Sequence, residues 1–167
     1  VEEQVAASLA YSHVAFCKNP VVNALIEYYY GIAQTQGTEL QVRIDLPDPM
    51  PLTDVELCTV LGNLLDNAVE ACSRQTKGKR RILAVGEIRG NMYFLKIENT
   101  YDGLILPEEK TFRSRKGTAA DHGIGLSSVR RILENHGGDL DLVPGEETFL
   151  VGITIECPFI SKSQRVI

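Results

Sequence analysis

Between Leu57 and Cys72 apolar residues return every third or fourth position. Leu57, Leu61, Leu64, Ala68 and Ala71 form one stripe, and Val60 and Cys72 flank it. That is the period of an amphipathic helix with its stripe against a core. Thr53, with Glu56 three residues on, predicts the helix start as a capping box. Asn63 and Asn67 are spaced i,i+4, so their carboxamides project together from the edge of the stripe, with Glu56, Glu70 and Arg74 on the polar side beyond them.

The other segments follow from the same kind of reading. Val1 to Phe16 is alanine-rich and opens without an N-cap, as a cut inside a longer helix would. Pro20 suits the first turn of a helix from Val21 to about Gln36, which Gly37 closes; the Tyr28 to Tyr30 run on it reads as packing surface. Leu40, Val42, Ile44 and Leu46 alternate with polar residues and predict a strand over 39–46, ended by the proline-rich turn Pro47 to Pro51. Arg81 to Ile88 and Met92 to Asn99 predict a hairpin turning at Gly90-Asn91. Period-two counting puts Tyr93, Leu95, Ile97 and Asn99 on one face, so that a polar residue terminates an apolar row. Thr100 to His122 holds no period and is long for a connection, the signature of a lid or a disordered segment. Leu126, Val129, Ile132 and Leu133 predict a helix that opens at His122-Gly-Ile-Gly and stops at Gly137-Gly138. Strands over 139–143 and 148–157 complete the pattern, the second with Phe149, Val151, Ile153 and Ile155 facing inward. Residues 161–167 read as a frayed tail.

Composition narrows the class. The chain has 167 residues, 44% hydrophobic and 23% charged, which suits one globular domain with a real core. A net charge of -5 without any basic block does not suggest a nucleic-acid partner, and the short run Lys77 to Arg81 reads as a solvated turn. Cys17, Cys58, Cys72 and Cys157 are scattered and form no C-x-x-C pair, so neither a zinc knuckle nor a redox motif is indicated. No apolar run is long enough to cross a bilayer and no signal peptide opens the chain. The expectation is a cytosolic piece without membrane contact, cut from something larger.

Two constellations carry possible chemistry. The oxygens of Asn63 and Asn67 could coordinate a hard cation such as magnesium, which keeps several waters and shares its remaining sites with phosphates; plain solvent-facing asparagines fit the spacing equally well. Gly123 and Gly125 lie where a helix begins, and free N–H groups with the positive dipole end make such a place an anion site; a flexible lid hinge is the alternative. The glycines are not a Rossmann fingerprint, because a long loop precedes them and the third glycine is missing. Nor are they a P-loop, since no Gly-Lys-Ser/Thr follows.

Together these motifs resemble the nucleotide-binding domain shared by DNA gyrase and sensor histidine kinases, the GHKL or Bergerat fold, and among the kinases the Agr-type quorum-sensing group. Asn63-Leu-Leu-Asp-Asn67-Ala-Val-Glu70-Ala looks like that family's N box. His122-Gly-Ile-Gly-Leu126-Ser-Ser-Val129 looks like its G2 box, and Ser114-Arg115-Lys116 is similar to the Ser-x-Lys segment of its lid. The likeness runs from about Leu40 to Pro158. It implies a two-layer α/β sandwich: a mixed sheet covered on one face by three helices, with ATP between the helices and a long lid. It also implies three segments, a stub of dimerisation-region helix over 1–17, an ATP-binding catalytic domain over 18–160 and the tail over 161–167.

By the resemblance, Asn67 is the principal magnesium ligand and Asn63 its neighbour at the metal or the phosphates. Glu70 belongs to the same box. Gly123, Ile124, Gly125 and Leu126 line the phosphates, with backbone N–H groups given by Gly123, Gly125 and Leu126. Lys116 or Arg115 would reach the terminal phosphate, and His122 would shape the lid hinge or touch a phosphate. Asn99 stands where most of the superfamily reads adenine with an aspartate, and an amide oxygen is a neutral acceptor there. Asn63 replaces the glutamate that activates water in the gyrase-like relatives, and an amide cannot take that proton.

The implied activity is therefore phosphoryl transfer from ATP to a histidine on a separate dimerisation domain, catalysed through Asn63, Asn67 and Lys116. A response regulator would receive the phosphate, and the full protein would be a homodimer. His13 has no acidic residue after it and reads as a packing or surface residue, while His136 complements the dipole at a helix end. Two rivals remain: a nucleotide-sensing or docking module without transfer, and a serine kinase of the anti-sigma-factor type.

Overall fold

The computed structural model describes residues 16–104 and 124–157. Three helices and five strands follow one another along them: α1 (Pro20–Thr35), β1 (Glu39–Ile44), α2 (Asp54–Arg74), β2 (Arg81–Arg89), β3 (Met92–Thr100), α3 (Ile124–Asn135), β4 (Asp139–Pro144) and β5 (Thr148–Glu156).

The helix boundaries have local causes. Asn19 caps α1 by accepting from the N–H groups of Val21 and Val22, at 2.9 and 3.1 Å, with Pro20 in the first turn, where its missing N–H costs nothing. At the other end Gly37, at φ +65°, turns the chain so that Thr38 N–H reaches the Ala33 carbonyl. Gly137 does the same for α3, with Gly138 N–H on the Leu133 carbonyl, so both helices end in the same Schellman closure. The Thr53–Glu56 capping box predicted for α2 is present in full.

The sheet order is β1-β2-β3-β5-β4. β1 pairs parallel to β2, with α2 as the crossover, and the remaining pairs are antiparallel, so the sheet is mixed as expected. β1 stops at Ile44, two residues short of the predicted strand; Leu46 still packs on the core, but outside the ladder. The β2–β3 hairpin turns at Gly90, at φ +62°.

Alternation decides which face is covered. Tyr93, Leu95, Ile97 and Asn99 of β3 are all buried, as are Phe149, Val151, Ile153 and Ile155 of β5. Their neighbours on the opposite face, such as Phe94, Lys96, Leu150 and Gly152, are half-buried or exposed. Against the covered face lies α2, whose Leu57, Val60, Leu61, Leu64, Leu65, Ala68, Val69, Ala71 and Cys72 are buried. A leucine moved from water into such a core contributes about 1.5–3 kcal/mol, so this single stripe anchors the helix layer. α2 sits between its neighbours: α1 packs along one flank and α3 along the other. The result is the expected two-layer α/β sandwich.

Candidate functional site

On α2 the two asparagines stand half-buried beside the core stripe, where their spacing put them. Asn63 Nδ2 donates to the Thr59 carbonyl one turn back, at 2.7 Å, which fixes the carboxamide and leaves Oδ1 pointing off the helix. That oxygen meets the first turn of α3. A Cβ placed on Gly125 would stand 2.7 Å from Asn63 Oδ1, so only glycine lets α3 approach this closely without displacement. The paired asparagines and the glycine turn, read separately from the sequence, thus meet in space. α3 enters the described residues at Ile124, beside Asn63, and the first N–H groups of a helix have no acceptor within it.

Asn67 follows about 6 Å further along α2. Its carboxamide makes no hydrogen bond with another described residue. Glu70, one turn on, is exposed and pairs with Arg74 at 3.2 Å.

The far end of α2 is pinned to the end of β3. The Cys72 thiol lies 3.3 Å from the Thr100 carbonyl, and burial raises its pKa, so the sulfur keeps its proton and donates. Asn99 Nδ2 donates to the same carbonyl at 3.0 Å. Asn99 is only 4% exposed, one of two buried polar residues among those described. A carbonyl can only accept, so the amide nitrogen must face it, and the Asn99 oxygen is the atom left to receive a donor. Nine residues of helix separate Asn63 from Cys72, a span of about 13 Å.

Beyond Asn99 the chain turns away sharply: Asp102 Oδ1 accepts from Leu104 N–H at 3.0 Å, and Gly103 sits at φ +79°. Tyr101, buried against Phe149, donates to the Gly145 carbonyl at 2.6 Å and ties this exit to the β4–β5 turn. A cleft of about 760 Å³ opens here, bordered by Thr100, Tyr101 and Asp102, and neither Asn63 nor Asn67 lines it.

Two contacts brace the helix layer in ways the sequence reading missed. Tyr29 of α1 places its hydroxyl 2.7 Å from Asp66 Oδ1 and 3.0 Å from the Gly62 carbonyl. A buried tyrosine amid apolar spacing was the available signal, but its partner lies 37 residues away. His136 does more than face a helix dipole: its Nε2 is 3.0 Å from Glu56 Oε1, linking the end of α3 to the start of α2. The Glu56 carboxyl is held down at about 2, chiefly by the Thr53 backbone N–H and then by His136.

Leu126 is buried under α3, as its apolar spacing required, and Ile124 opens that helix. Lys116, Arg115, Ser114, His122, Gly123 and His13 lie outside the described residues. Among the described residues no group of three or more His, Cys, Asp or Glu could hold a metal. A magnesium ion held by these asparagines would take amide oxygens in place of the one or two carboxylates common beside nucleotide phosphates, and would keep several waters.

A family model described as the GHKL domain matches residues 52–156, from the start of α2 to the end of β5. This chain belongs to the GHKL domain family. Curated relatives include the sensor protein kinase CarS of Pseudomonas aeruginosa, 36% identical over 138 residues, covering 77% of this chain and 28% of that one. The sensor histidine kinase CitA of Klebsiella pneumoniae is 31% identical over 99 residues, covering 55% and 17%. The chain therefore spans well under a third of either relative. Among solved structures the catalytic domain of histidine kinase ThkA superposes with a TM-score of 0.60 at 18% identity, covering 84% of this chain and 92% of that one. The histidine kinase AdeS of Acinetobacter baumannii gives 0.56 at 20%, covering 83% and 64%. At these identities the likeness is one of fold, and it is the GHKL fold. Among the described residues no helix is long and apolar enough to cross a membrane.

Proposed function

We propose that this GHKL domain is the ATP-binding catalytic part of a sensor histidine kinase, with the nucleotide lying along α2. The observation that carries the reading is the approach of Gly125 to Asn63, which sets the start of α3 beside a fixed carboxamide oxygen. The phosphates would lie at that end and the base at Asn99, separated by a span that an extended nucleoside triphosphate can bridge. With its nitrogen turned to Thr100, Asn99 presents its oxygen to a ligand and can accept from an exocyclic amine, which suits adenine.

Asn67, free of protein partners among the described residues, would hold magnesium, with Asn63 beside it; bound magnesium would neutralise charge on the phosphates. Gly125 and Leu126, together with Gly123 and Ile124, would give the phosphate cradle, and Glu70 would border it. Arg115, Lys116 and His122 would close over it. Neither asparagine can take a proton from water, so the terminal phosphoryl group is kept for another nucleophile. That nucleophile would be a histidine on the dimerisation domain of the same full-length homodimer, with a response regulator as the next acceptor. The Agr-type likeness, the division at 17 and 160 and a cytoplasmic setting belong to this proposal, as does the absence of nucleic-acid or membrane contact.

Calorimetry with ATP and magnesium tests the site: Asn67→Ala should weaken binding at least tenfold, and unchanged affinity would remove Asn67 from it. Labelled ATP with a separately expressed dimerisation segment should then yield an acid-labile, base-stable phosphate. Acid-stable label would point to a serine kinase. Binding without label would favour the sensing module, a reading to which the neutral acceptor at Asn99 lends some weight.

A further inference from the structure

Asp66 stands between the two asparagines in sequence and, with Glu70, is one of two carboxylates within three positions of them on α2; Glu70 is paired with Arg74 at 3.2 Å. Residues three apart on a helix are neighbours, with Cβ atoms about 5–6 Å apart, so Asp66 could swing toward Asn63. It does not. Its Oδ1 is held 2.7 Å from the hydroxyl of Tyr29, on the α1 side of the helix.

That bond is not needed to satisfy the buried phenol. The Gly62 carbonyl, at 3.0 Å, could accept the same proton alone, and Asp66 is exposed and could be solvated by water instead. Tyr29 is 3% exposed, so its ring is fixed by the core and its hydroxyl is a rigid post. Burial, followed by the Asp66 bond and charge, raises its pKa, so the post remains a neutral donor.

We propose that Tyr29 is a positioning residue that tethers the Asp66 carboxylate away from the Asn63–Gly125 face, keeping that face receptive to a polyanionic ligand. The inference rests on the nucleotide reading above. Like charges about 6 Å apart in a partly solvated setting repel enough to weaken binding roughly three- to tenfold, and salt screens the effect.

The test is magnesium-ATP calorimetry on the parent chain, Tyr29→Phe, Asp66→Asn and the double variant, with thermal unfolding of each. Tyr29→Phe should weaken binding about three- to tenfold at low salt and less at high salt. Asp66→Asn should stay within about twofold of the parent, and the double variant should return to the parent's affinity although it lacks the same bond and the same stability. A purely structural role for Tyr29 would leave the double variant as weak as Tyr29→Phe, and that result overturns the proposal. So does unchanged binding by Tyr29→Phe, or weakened binding by Asp66→Asn alone. If the parent chain binds no magnesium-ATP, the nucleotide reading falls and takes this one with it; if the parent binds and the rescue fails, only the tether is lost.

Discussion

Asn99→Asp would restore the acidic residue that most of the superfamily is expected to carry, and the structure predicts that it will harm this chain. The asparagine is 4% exposed and its nitrogen donates to the Thr100 carbonyl at 3.0 Å. A carboxylate there would set an anionic oxygen against a carbonyl oxygen at the same separation. Losing a buried hydrogen bond costs about 0.5–1.5 kcal/mol, and a buried acceptor left without a donor costs about 1–3. Thr100 itself is not orphaned, because the Cys72 thiol still donates to it. The acceptor left without a donor is instead the new carboxylate oxygen, so the two costs together make a net loss at neutral pH of about 1.5–4.5 kcal/mol, a large part of a typical domain's stability.

The loss has a pH signature. Protonating the new carboxyl restores a donor to Thr100, so its folded pKa is raised above the unfolded value of about 3.9. A group with a raised folded pKa binds more protons folded than unfolded. The variant's deficit is then smallest below about pH 3.9 and develops as pH rises through the folded pKa. Urea unfolding followed by circular dichroism, on parent and variant across acid and neutral pH, measures this difference. A variant as stable as the parent at neutral pH, or a gap that does not narrow in acid, would show that the Thr100 bond does not hold Asn99.

Two further outcomes follow from the same geometry. Gly125→Ala puts a methyl 2.7 Å from Asn63 Oδ1, so α3 or Asn63 must shift; magnesium-ATP affinity should fall at least tenfold while stability drops by about 1–3 kcal/mol, and unchanged affinity in calorimetry would separate this contact from binding. Glu56, held at about 2, contributes stability that is present above its unfolded pKa and is lost as pH falls toward 2, so Glu56→Gln should flatten the acid limb of an unfolding profile; an identical limb would show that the capping box and His136 do not set it.

What the sequence determined by itself was whatever depends on neighbours a few positions away. The α2 stripe, the capping box at Thr53, the alternation of Tyr93 to Asn99 and the closure at Gly137-Gly138 are all contained in short windows, because helix and strand periods are local properties of the backbone. The N-box and G2-box likeness was legible for the same reason. Tertiary structure alone decided how those windows meet: the order β1-β2-β3-β5-β4, the contact of Gly125 with Asn63, and the convergence of Cys72 and Asn99 on Thr100. The Tyr29–Asp66 bond was invisible beforehand because an exposed aspartate looks solvated until a distant helix brings a hydroxyl to it. Periodicity assigns each residue a face, but only packing chooses the partner that face will meet.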